Sequence, residues 1–70
     1  MRALNVERLW ANIDGTACML VEREEEPRFE LCVVRGLSVL RQDRLHTRST
    51  AQMMSEAWRA SLSTRLPAHF

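Results

Sequence analysis

The sequence has no lysine, only two glycines and only two cysteines, and these shortages exclude several kinds of site. Two glycines cannot build a glycine-rich loop that cradles a phosphate group. Two cysteines, Cys18 and Cys32, are too few for a disulfide framework, and no segment resembles a secretory signal. The longest uninterrupted apolar run, residues 17–21, is far shorter than a membrane span. We therefore expect a cytoplasmic protein that does not enter a membrane.

The length of 70 residues predicts a single small domain over residues 1–70. Hydrophobic residues make up 46% of the chain, which is too many for a disordered protein and typical of a globular one. A domain of this size buries only about 60% of the surface of its unfolded chain. Disulfides, a metal or oligomerisation commonly supply the missing stability.

The C-terminal part of the chain predicts a helix from about Thr50 to Arg65. Ser49 and Gln52 have the spacing of a capping box, and Pro67 would end the helix because proline has no backbone N–H. Apolar side chains recur there at steps of three and four residues, as in a helix that packs one face on a core. These residues are Ala51, Met54, Trp58 and Leu62, with Ala57 beside them.

Three segments rich in strand-forming residues precede the helix, namely residues 16–23, 29–36 and 37–45. The N-terminal segment is ambiguous. Val6, Leu9, Trp10 and Ile13 have helical spacing, whereas the dipeptide Asp14-Gly15 favours a hairpin and a strand over residues 8–13. We prefer the short helix. The predicted fold is α+β: a three-stranded antiparallel meander packed on a C-terminal helix, with a short N-terminal helix or an extra strand.

A two-residue hairpin loop at Arg35-Gly36 would make both faces of the sheet apolar, because directly opposed residues share a face. One face would collect Phe29, Leu31, Val33 and Leu40 and would receive the helix. The other would collect Cys32, Val34, Leu37 and Val39. In this register Arg41 joins the second face, and Arg44 points to the first. One helix covers one face, so the second face predicts self-association, as a dimer, or a protein partner.

The segment of residues 35–49 is rich in arginine and offers an alternative function, nucleic-acid binding. Its candidate contacts are Arg35, Arg41, Arg44 and Arg48. The segment has no aromatic residue on which a base could stack. The absence of lysine from the whole chain indicates a bias of composition, so we prefer the interaction module.

No combination of residues predicts catalysis, a metal site or a cofactor. Cys18, Cys32, His46 and His69 could in principle bind zinc, but they lack the close pairs typical of zinc sites. The two cysteines fall in the middle of predicted strands, where buried thiols are common. The acidic residues of 22–26 surround a proline turn and are typical of a solvated loop. We therefore expect a non-enzymatic protein.

Residues 29–62 resemble short bacterial proteins with a strand, a glycine turn, a second strand, a cap and a helix containing A-x-x-W-R. The matching positions are Phe29, Gly36, Leu45, Ser49, Ala57, Trp58 and Arg59. The resemblance implies a strand–turn–strand–helix fold and no activity. The chain departs from the pattern at Arg35, where a tight turn of this kind favours Asp or Asn before the glycine.

Overall fold

The computed structural model describes residues 3–63, which form one four-stranded antiparallel sheet and one helix. The elements are β1 (Ala3–Ala11), β2 (Thr16–Arg23), β3 (Phe29–Arg35), β4 (Ser38–Leu45) and α1 (Arg48–Ser63). The strands lie side by side in chain order, so the sheet is a meander. The α+β class and the C-terminal helix are confirmed, whereas the count of three strands is wrong.

The preferred N-terminal helix is also wrong, because the segment forms β1 and the alternative reading of an extra strand is correct. The turn that follows explains why: Gly15 has a φ of +92°, and the Thr16 amide donates a hydrogen bond to Asp14 Oδ1 at 2.9 Å. This hydrogen bond holds the pKa of Asp14 below its usual range. A bulge in β1 between Arg8 and Trp10 explains part of the apparent helical spacing, whereas Val6 lies on the other face of the sheet and Ile13 is fully exposed. Trp10 is buried and Leu9 also packs on the core, so two adjacent side chains contribute to it.

The hairpin between β3 and β4 turns one residue later than predicted. Arg35 pairs with Ser38, which makes Gly36 and Leu37 the loop. Gly36 has a φ of +61° and Leu37 has no positive φ, as expected for a turn with glycine at its first central position. A second bulge at Leu40 then shifts the register.

The bulge in β4 reverses the predicted directions of two arginines. Val39 pairs with Val34, and the next pair is Arg41 with Val33. Arg41 therefore lies on the helix-covered face, where its guanidinium stacks over Trp58, and Arg44 lies on the opposite face.

Helix α1 begins two residues before the predicted start. Thr47 is its cap, because Thr47 Oγ1 accepts a hydrogen bond from the Thr50 amide at 3.1 Å; the predicted cap, Ser49, lies inside the helix. Ala57 is exposed, and Ser55 takes its predicted place on the buried side. The predicted end at Arg65 and the stop at Pro67 lie outside the described residues.

The core lies between α1 and one face of the sheet. Its buried hydrophobic residues are Trp10, Cys18, Leu20, Leu31, Val33, Leu45 and Ala51. Trp10 connects the edge strand β1 to the helix, because its indole Nε1 donates a hydrogen bond to the Ser55 carbonyl at 3.2 Å. Within residues 3–63 no helix has the length and apolar character needed to cross a membrane.

Candidate functional site

The sheet face opposite α1, which we call the open face, is covered by no described element. Strand pairing arranges its side chains in three rows that cross all four strands. The turn-end row, beside the two hairpin turns, is Ala11, Ala17, Val34 and Val39. The middle row is Arg8, Met19, Cys32 and Gln42. The far row is Val6, Val21, Glu30 and Arg44.

Apolar side chains dominate the open face, and they are concentrated towards the turn end. The turn-end row is apolar on every strand, and Val39 at its edge is 59% exposed. Met19 and Cys32 at the centre of the middle row are only half-buried, although they lie on the inner strands. An antiparallel sheet with one face in water normally shows polar residues on that face. The open face therefore departs from the usual composition of a sheet face in water.

A cluster of charged and polar side chains ends the apolar area at the far row. The Glu30 side chain is only 9% exposed, and Arg23 donates to its Oε1 from Nη2 at 2.6 Å and from Nε at 3.0 Å. Gln42 donates to the other carboxylate oxygen of Glu30. Arg44 donates from Nη2 to the Pro27 carbonyl at 2.5 Å, while its buried Nε has no hydrogen-bond partner. The open face is thus apolar near the turns, while its other end combines the apolar Val6 and Val21 with the ionic Glu30 and Arg44.

Three of the four residues predicted for the interface lie on the open face, namely Cys32, Val34 and Val39. Leu37 instead occupies the hairpin turn, where its side chain is fully exposed. Val6 and Ala11 also belong to the open face, and the sequence reading missed them because it preferred a helix for their segment. The hairpin dipeptide Asp14-Gly15 was the signal that could have found them.

The four arginines proposed as nucleic-acid contacts are not brought together. Each contacts a different part of the chain: Arg35 the carboxylate of Asp14 at 3.5 Å, Arg41 the ring of Trp58 at 5.7 Å, Arg44 the carbonyl of Pro27, and Arg48 the carboxylate of Glu7 at 2.9 Å. Arg41 and Arg44 lie on opposite faces of the sheet. A continuous basic surface, which phosphate binding needs, is therefore not formed by these four residues.

The two cysteines lie on opposite faces, because Cys18 pairs with Val33 and Cys32 pairs with Met19. Burial raises the pKa of Cys18 to about 11 and also raises the pKa of Cys32. Both thiols are therefore protonated at neutral pH, and neither has the lowered pKa of a reactive cysteine.

The predicted zinc ligands do not meet in the described part of the chain, which contains no group of three or more His, Cys, Asp or Glu placed to hold a metal ion. His46 is exposed and lies 3.4 Å from a carboxylate oxygen of Glu26. His69 lies outside the described residues.

Comparisons of the chain with protein-family models, with curated proteins and with solved structures find no match. The resemblance of residues 29–62 to short bacterial strand–turn–strand–helix proteins therefore stays a prediction. The open face is the feature of the structure that bears most directly on function.

Proposed function

We propose that this protein is a non-enzymatic interaction module that self-associates, and that its open face binds the open face of a second copy. The apolar composition of the turn-end row and of the centre of the middle row carries this proposal. Two sheets that pack face to face lie about 10 Å apart, with their side chains interdigitated. Packing of this kind would remove Met19, Cys32 and Val34 from water and place both sheets between two helices.

The small core of the single chain gives a reason for this association. The described residues bury seven hydrophobic side chains, all on the helix side of the sheet or in the helix itself. A second copy would add a hydrophobic layer on the other side. Since burial of apolar area stabilises by roughly 25 cal/mol per Å², the added layer contributes directly to the stability of each fold.

The size of the open face indicates a weak dimer. Four strands about 4.8 Å apart, with three rows over roughly 20 Å of strand, give a flat area of roughly 400 Å² on each copy. The solvent-accessible area is larger than this flat area because the side chains project from it. Specific interfaces, however, bury about 600 to 1,000 Å² per partner. We therefore expect a dissociation constant on the order of 10 μM, at the weak end of specific association.

Sedimentation velocity across a range of protein concentrations tests the proposal. Val39→Glu places a charge on the open face at an edge strand, at a side chain that is already 59% exposed. The control is Met53→Glu, which places the same charge on the outside of α1, at a side chain that is 73% exposed. We expect the wild-type protein and the Met53 variant to dimerise and the Val39 variant to remain a monomer at 200 μM.

Two results would contradict this proposal. One is a wild-type protein that sediments as a monomer at several hundred micromolar. The other is a Val39 variant that dimerises as strongly as the Met53 variant, while circular dichroism shows that both are folded.

Nucleic-acid binding draws less support, because Arg35, Arg41 and Arg48 each contact a partner in their own chain. The cytoplasmic location stays a prediction.

A further inference from the structure

Both hairpin turns carry a fully exposed aliphatic side chain. Ile13 lies in the turn between β1 and β2, Leu37 lies in the turn between β3 and β4, and each has a relative exposure of 106%. Neighbouring strands run in opposite directions, so the β1–β2 and β3–β4 turns lie at one end of the sheet and the β2–β3 loop lies at the other. Turns usually carry polar residues, so two aliphatic side chains at one end indicate a contact.

The turn-end row of the open face adjoins these two residues. Val39 lies two positions after Leu37, and Ala11 lies two positions before Ile13. The apolar part of the open face therefore continues over the edge of the sheet onto the turns. The flat area of the face alone is small for a specific dimer, and the two turn residues would enlarge it on each copy.

The distribution of polarity on the open face selects the symmetry axis of a dimer. In a two-fold interface, if residue i of one copy contacts residue j of the other, then j also contacts i. An axis that runs across the strands would place the turn-end row of one copy over the Glu30–Arg23 pair of the other. An axis that runs along the strands instead places each row over the same row of the second copy. In the second arrangement the turn-end row is covered entirely by apolar residues, and Glu30 and Arg44 stay in the row at the end of the interface, where Val21 faces Glu30 and Val6 faces Arg44 of the second copy. An axis across the strands would also place Arg8 over Arg8 of the second copy, a pair of like charges.

An axis along the strands also reverses the order of the strands, so β1 of one copy lies over β4 of the other. The turn between β1 and β2 then faces the turn between β3 and β4. We propose, resting on the self-association proposed above, that the two copies pack with their turn ends together and that Ile13 of each copy contacts Leu37 of the second copy. In the same arrangement Arg8 faces Gln42 across the interface, so no pair of like charges is brought together in the middle row.

Cross-linking between singly labelled chains tests this arrangement. Each chain carries Cys32→Ala, which keeps this position of the open face apolar, and Cys18 is fully buried, so the introduced cysteine is the accessible thiol among the described residues. Chains with Ile13→Cys are mixed with tagged chains that carry either Leu37→Cys or Glu25→Cys and are treated with a short bis-maleimide. Glu25 is the control because it is exposed and lies in the loop between β2 and β3, at the other end of the sheet.

We expect the Ile13–Leu37 pair to cross-link at least tenfold more than the Ile13–Glu25 pair. Preferential cross-linking of Ile13 to Glu25 would overturn the proposed axis and favour one across the strands. Equal or absent cross-linking of both pairs in a sample that sediments as a dimer would overturn it too. A wild-type protein that sediments as a monomer at several hundred micromolar would instead contradict the self-association itself, so the two failures are distinguishable.

Discussion

Glu30 shows how a single carboxylate can occupy an otherwise apolar sheet. It lies on an inner strand, its side chain is only 9% exposed, and it accepts hydrogen bonds from Arg23 and Gln42. A buried carboxylate is tolerated when its oxygens are paired in this way. Removal of the carboxylate leaves the Arg23 guanidinium, whose side chain is 24% exposed, without its main partner.

We therefore expect Glu30→Ala to lower the free energy of unfolding by about 2 kcal/mol, the scale of a buried hydrogen-bonded charge. The matched control is Glu22→Ala on the neighbouring strand. Glu22 pairs with Arg28 at 3.2 Å, but the two side chains are 28% and 42% exposed, so we expect a change below about 0.5 kcal/mol. Urea denaturation measures the change in the free energy of unfolding for both variants. Equal losses would show that the ion pair of Glu30 is no stronger than an exposed one.

The hairpin between β3 and β4 depends on the left-handed backbone of one glycine. Gly36 has a φ of +61°, and no heavy atom lies within 4 Å of the position that a Cβ would occupy. The penalty for a side chain there is therefore conformational and not a clash. A left-handed conformation costs a residue other than glycine about 1 to 2 kcal/mol.

We expect Gly36→Ala to lower the free energy of unfolding by about 1 to 2 kcal/mol for that reason. Leu37→Ala is the control at the next position, which has no positive φ and a fully exposed side chain, and it should change stability by less than about 0.5 kcal/mol in the monomer. Denaturation at low protein concentration separates this effect from self-association. A Gly36 variant as stable as wild type would argue against the turn described.

The elements that the sequence predicted well are those whose local and tertiary preferences agree. Strand β2 has the predicted bounds, Thr16–Arg23, because an uninterrupted run of apolar residues lies there on a strand that is hydrogen-bonded on both sides. The prediction for the segment of β1 was wrong because the bulge brings Leu9 and Trp10 together to the core side, and two adjacent core-facing residues are typical of a helix. A bulge depends on pairing with another strand, so periodicity along one segment does not reveal it.

The candidate site could be predicted in its general character but not in its detail. Cys32, Val34 and Val39 were placed on one face, because alternation within β3 depends on the strand period alone. Arg41 and Arg44 were exchanged between faces because the bulge at Leu40 reverses the alternation beyond it. The pairing of Glu30 with Arg23 and Gln42 joins three strands, so it depends on a register that the sequence did not supply.

At the scale of the whole molecule, the described fold has two layers, a helix and a sheet, and the sheet has one face covered by the helix and one open face. Its principal extents are 46 × 24 × 14 Å. Packing of two open faces along the proposed axis produces a four-layer body, helix on sheet on sheet on helix, in which each sheet is covered on both sides. The same axis also brings together the two loops that join β2 to β3.

Because the proposed axis brings these two loops close together, it predicts how the stability of the dimer depends on salt. The loop carries Glu24, Glu25 and Glu26, which are all exposed. Carboxylates on two such loops repel one another across roughly 10 Å, a distance close to the Debye length of about 8 Å at physiological ionic strength. Salt screens this repulsion but leaves the apolar contact intact, so the dimer should become tighter as salt is added. An interface held by ion pairs would become weaker.

We expect the dissociation constant to fall by about threefold to tenfold between 50 and 500 mM sodium chloride, which corresponds to roughly 1 kcal/mol. Sedimentation equilibrium measures it. The control is the double variant Glu24→Gln and Glu25→Gln, which keeps the open face unchanged and should show a dissociation constant that is already low and nearly independent of salt. A wild-type dimer that weakens with salt, or a double variant with the same salt dependence as wild type, would contradict an axis along the strands, because an axis across them keeps the two loops at opposite ends of the dimer.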